Sequence, residues 1–231
     1  MLKRILTAIL CCAIASPVLA QDEIVVTASK RTGDAPAQVP GIGIKRRADF
    51  AVQRVTVYGD SRDKAARRAE ILATVKNALE LAQKRGIALA YGGAVIRPLT
   101  LANYATKLTF EEDGDRDDAE EVGFIIKTPL NDADAFAALD RLSAFIKAVP
   151  LNGRAIVKAE GDAGVSIVDP AQYRGQIIAA IAADATSAAK QFGEDYAAHV
   201  GNLAQPVFWV LTGPTEVLLY IPHSLEIVAK D

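Results

Sequence analysis

"VGFIIKTPLNDADAFAALDRLSAFIKAVPLNGRAIVKAE", residues 122–160, decides the fold. Its opening, "VGFIIKT" (122–128), is a short β-branched and aromatic run and reads as a strand. Asn131 or Asp132 then supplies an N-cap, and Phe136, Leu139, Leu142, Ile146 and Val149 recur every three to four residues on one face of a helix. Strand character returns after it, and "GRAIVKAE-GDAG-VSIV" (153–168) reads as two strands about a tight turn. A strand, a helix with one apolar stripe and a strand pair call for helices layered on a sheet.

The same alternation extends both ways. Upstream, "FAVQRVTVY" (50–58) is a strand closed by Gly59, and its apolar alternation changes phase near Gln53 and Arg54. Asp60 or Ser61 caps a helix to about Arg85, with Leu72, Val75, Leu79 and Ala82 on its buried face and Gly86 as its stop. "IALAYGGAVIRPL" (87–99) is a strand bent at Gly92 and Gly93, and "EEDGDRDDAEE" (111–121) is a solvated acidic loop. Downstream, Asp169 caps a long helix with Pro170 at its first position. Its stripe is Tyr173, Ile177, Ile181, Ala185, Ala188 and Phe192, and Gly193 ends it. "YAAHVGNL", "PVFWVLT" and "TEVLLYIPHSLEIVA" are closing strands.

The expected class is α+β: two-layer α/β sandwiches of mainly antiparallel sheets with helices on one face, the middle part ferredoxin-like. The body spans 48–231, with an outer half of 50–110 plus 204–228 and an inner half of 121–203.

Residues 1–20 read as a signal peptide: Lys3 and Arg4, an apolar run from Ile5, and "SPVLA" ending at Ala20. That run is shorter than the roughly 20 residues a bilayer requires. Cys11 and Cys12 lie within it, so the mature chain has no cysteine for a disulfide, a thiolate metal site or a nucleophile. Without Lys3 and Arg4 there are 24 basic against 28 acidic residues, a formal charge of −4, which argues against nucleic-acid binding. Residues 21–47, rich in Pro, Gly and Ala, read as a flexible arm that the body can lose without harm.

Two resemblances follow. The arm's "DEIVVTASKR" (22–31), with "QVP" ending at Pro40, resembles the start of TonB-dependent outer-membrane transporters. A transporter barrel of about 22 strands, each of about 9–11 residues, would consume the whole chain. "VTVYG" (55–59), the Ala-rich helix "DKAARRAEILATVKNALELAQKRGI" and the "DPAQYRGQIIAAIAADATSAAKQFG" helix resemble the SIMPL-domain family of bacterial periplasmic and outer-membrane-associated proteins. The resemblance covers roughly 50–228 and implies export, a two-part α+β fold, and for some members ring-like oligomers or stress-related envelope roles. It carries no catalytic residues.

Catalytic patterns are missing. Taking Asp113, Asp115 and Asp117 as the start of an EF-hand loop puts Asp118 where Gly is required and Phe124 where Glu is required. His199 and His223 are too few for a zinc site without carboxylate help. There is no Gly-x-Ser-x-Gly elbow, and "GIG" (41–43) lacks a dinucleotide loop's third glycine. Trp209 with Phe208 reads as core or interface. Arg62, Lys64, Arg67 and Arg68 crowd a helix start, against its dipole; they read as a solvated face or, more sharply, as an interface for an acidic partner surface such as a neighbouring subunit's 111–121.

The expectation is a non-catalytic exported envelope protein without cofactor or metal: a SIMPL-like homo-oligomeric scaffold or stress-related assembly protein of the periplasm or associated with the outer membrane, without a transmembrane segment. The alternative is a partner module for TonB or another envelope protein, with Glu23, Ile24, Val25, Val26 and Thr27 adding a strand to the partner's sheet. Arg62, Arg67 and Arg68 are the other partner-binding candidates.

Overall fold

A computed structural model describes residues 23–26, 41–113, 116–130 and 135–230. The strands are β1 (Glu23–Val26), β2 (Ile44–Arg47), β3 (Phe50–Gly59), β4 (Ala88–Gly92), β5 (Val95–Leu99), β6 (Glu111–Asp113), β7 (Arg116–Pro129), β8 (Ile156–Val168), β9 (Tyr196–Gly201), β10 (Phe208–Leu211), β11 (Glu216–Tyr220) and β12 (Ser224–Ala229). The helices are α1 (Lys64–Arg85), α2 (Tyr104–Lys107), α3 (Ala135–Ala148) and α4 (Arg174–Phe192). All strand pairings among the described residues are antiparallel, so the α+β class with antiparallel sheets stands.

The centre is ferredoxin-like, but its elements are not those of 121–203. Strands run β8-β3-β7-β4; α1 carries the chain from β3 to β4 past β7, and α3 carries it from β7 to β8 past β3. Two split βαβ units result, both helices packing on one face. Period-two alternation dictates that face: Val55 and Val57 of β3 and Val122, Phe124 and Ile126 of β7 meet Ile71, Val75 and Leu79 of α1 and Leu142 and Phe145 of α3. Val207, Val217, Leu219 and Ile221 belong to the same core, so it does not divide into the expected outer and inner halves.

On its other face the sheet closes on itself. β5 turns back from β4, and β1 pairs with both β5 and β8, completing the ring β3-β8-β1-β5-β4-β7. Val52, Ala90, Ile96 and Ile125, with Val25 and Phe50 against them, fill this barrel's interior as a second small core. The expected flexible arm is therefore corrected at both ends: β1 is a barrel strand, and β2 pairs with β11. Residues 27–40, between them, lie outside the described residues.

Several local expectations shift for identifiable reasons. The α1 cap is Asp63, whose Oδ1 accepts the Ala66 N–H at 2.7 Å, because Asp60 and Ser61 are bonded elsewhere. The bent strand at 87–99 is the β4–β5 hairpin: Gly92 has φ 121°, and a Cβ there would lie 2.4 Å from the Val95 carbonyl oxygen. The pair expected at 153–168 is one strand, β8, with an irregularity opposite Gln53. There two steps of β3 face four of β8, Gly161 takes φ 64°, and the Gln53 amide donates to the carbonyls of Glu160 (2.9 Å) and Gly161 (3.2 Å).

The α3 caps Asn131 and Asp132 lie outside the described residues. Its buried face is Ala138, Leu142 and Phe145, leaving Phe136 71% exposed. Asp169 makes no capping bond; it sits at φ 45° before a 3-10 turn (Pro170–Tyr173), and α4 starts only at Arg174. α4 buries Ile177, Ile181, Ala185 and Ala189, leaving Phe192 63% exposed. Among the described residues no helix is long and apolar enough to cross a membrane.

Candidate functional site

Cations crowded at the start of α1 need an acid, and the chain supplies it. The expected acidic loop is a hairpin, β6–β7, that delivers Glu120 to α1 with its side chain only 1% exposed. Arg67 Nε donates to Glu120 Oε2 at 3.0 Å, and Arg68 donates to Oε1 from Nε (3.0 Å) and Nη2 (2.7 Å). The Lys64 ammonium stands 3.6 Å away. Arg67 Nη1 also donates to the carbonyls of Ser61 and Asp118, both at 2.9 Å. Bonding by Arg68 and then Arg67 holds Glu120 down at a pKa of about 2, against the burial that raises it. Arg67 and Arg68 are thus engaged within the chain rather than presented to a partner, while Arg62 stays exposed. This cluster fastens the hairpin to the helix.

The strand candidates are also engaged. Glu23 and Ile24 are buried and Val25 half-buried in β1, with β8 on one edge and β5 on the other; Thr27 lies outside the described residues. Inside the barrel Ser166 Oγ donates to Glu23 Oε1 at 2.5 Å, and the Lys127 ammonium pairs with Oε2 while lying 4.3 Å from the Phe50 ring centroid. A strand bonded on both edges has none left to add to another sheet.

The barrel's other end is open. Beyond Val52 the same face of β3 carries Arg54, Thr56 and Tyr58; β7 brings Gly123 opposite Thr56 and Glu121 opposite Tyr58, and β8 brings Glu160 and Lys158. Two adjoining hollows of about 410 and 310 Å³ share Thr56, Glu121 and Glu160, with Lys107 and Glu111 on the second one's rim. Thr56 Oγ1 donates to Glu160 Oε2 at 2.8 Å, and Lys158 Nζ lies 5.2 Å from the Tyr58 ring centroid. Sequence reasoning missed this cleft. Its signal was the phase change at Gln53 and Arg54, where polar residues take over the barrel-facing positions.

A third feature is the two-stranded β12–β9 sheet beside α4. Phe192 and Tyr196, with ring centroids 6.1 Å apart, and Leu225 and Val228 are exposed here. His199 sits exposed opposite Glu226, while His223 Nδ1 lies 2.8 Å from the Ile221 carbonyl oxygen. Among the described residues no group of three or more His, Cys, Asp or Glu side chains is placed to hold a metal. Comparisons with protein-family models, curated proteins and solved structures found no match.

Proposed function

We propose that this is an exported, non-catalytic cell-envelope protein of the periplasm or the outer-membrane surface, a SIMPL-like scaffold or stress-related assembly protein that works as a homo-oligomer. One observation carries the reading. Among the described residues β9 and β12 pair only with each other; Tyr196, against Phe192, and Leu225 stand exposed on one face of the pair and Val228 on the other. Unpaired edges carrying apolar side chains are surfaces that proteins normally cover, and a second copy presents the same edge for pairing. The TonB alternative is less favoured, because docking the 22–31 arm would require β1 to leave the barrel.

The cysteine-free mature chain offers a clean test. Val228→Cys under mild oxidation should give a disulfide-linked pair, and Lys84→Cys, on the exposed side of α1, should not. A Val228→Cys chain that cross-links no more than the control would refute self-assembly through this sheet.

A further inference from the structure

We propose that the open end of the barrel is a binding site for a short zwitterionic peptide, its carboxylate on Arg54 and its ammonium between Glu121 and Glu160. Gly123 is a glycine without a packing reason. Gly123 lies in the interior of β7, where glycine weakens a strand, yet a Cβ there would have only Arg54 Nη1 within 4 Å, at 3.8 Å. No neighbour forbids a side chain. What glycine preserves is the floor of the cleft, as expected where a ligand must approach the backbone.

The cleft's charges point the same way. Among the described residues the Arg54 guanidinium and the Lys107 ammonium, both on the rim, make no ion pair or side-chain hydrogen bond. An unengaged guanidinium in a concavity is a ready carboxylate receptor, because its fork fits both oxygens. The walls also carry Glu111, Glu112, Glu121 and Glu160 against Arg54, Lys107 and Lys158. Four carboxylates facing three cations repel a polyanion and leave a cation no exclusive site, whereas a molecule with one charge of each sign satisfies both walls. Tyr58 and Tyr91 add flat apolar surface for the peptide between its ends. The hollows fall in the size range of ordinary small-ligand pockets, about 300–1,000 Å³.

Calorimetry of the mature chain tests this with trialanine, N-acetyl-trialanine amide and tricarballylate, each to about 10 mM. Trialanine should bind, and the capped and all-anionic probes should bind at least about tenfold more weakly. Arg54→Ala and Gly123→Ala should each weaken trialanine about tenfold or more. Gly123→Ala should also melt no lower than the parent, which separates a blocked floor from a damaged fold. No heat with trialanine, equal binding of either control probe, or unchanged affinity in both variants would overturn the proposal.

Discussion

The Glu23 carboxylate meets the Lys127 ammonium inside the barrel, across 104 residues of sequence. β1 is only four residues long, so its place depends on more than its backbone bonds. Ile24 contributes apolar burial, and Glu23 neutralises a lysine that the barrel would otherwise enclose alone.

Glu23→Ala should therefore destabilise the protein by about 3 kcal/mol, since removing one partner of a buried ion pair strands the other. Glu23→Ala with Lys127→Met should recover much of the loss, because two apolar replacements strand no charge. Urea melts read both. Deleting residues 22–47, harmless on the sequence reading, should cost still more. Equal melts for wild type and Glu23→Ala would mean β1 does not close the barrel.

Acid should loosen the β6–β7 hairpin. The folded Glu120 is a stronger acid than an unfolded glutamate, so below about pH 4.5 the unfolded chain takes up more protons. Stability conferred by its arginines is complete above pH 4.5 and fades as pH falls toward about 2. Because Arg68 is partly solvated, that contribution is about 1–3 kcal/mol. Melts between pH 2 and 6 should show the slope, and Glu120→Gln should flatten it. An identical slope in the variant would place the acid sensitivity elsewhere.

Helix α3 separates the two possible faces. Leu142→Ala should cost about 2–5 kcal/mol, as core truncations do. Phe136→Ala, despite removing a larger side chain, should cost under about 1 kcal/mol, as for a surface site. The reverse order in urea melts would restore the stripe that size alone suggests.

Those contrasts show what the sequence could convey. The alternation of Val55 and Val57 with Arg54 and Thr56, and the spacing of Val75, Leu79 and Ala82, are local signals, so β3 and α1 were legible. In α3 the apolar residues outnumber what one face can bury, and the sheet chose the side carrying Ala138. Burial of Glu23 and Glu120 was not legible, because each charge is acceptable only beside partners brought by distant strands or helices. The cleft failed for the same reason: Arg54, Gly123 and Glu160 become neighbours only when β3, β7 and β8 pair.

Assembly is the central claim, and the mass in solution of the chain without its expected signal peptide tests it most directly. Light scattering on residues 21–231 at micromolar concentration should give at least twice the mass of one chain. Val228→Lys should shift that mass toward a single chain with its melting temperature unchanged, because the side chain is 41% exposed. A wild-type protein that scatters as one chain across the accessible concentration range would contradict the account.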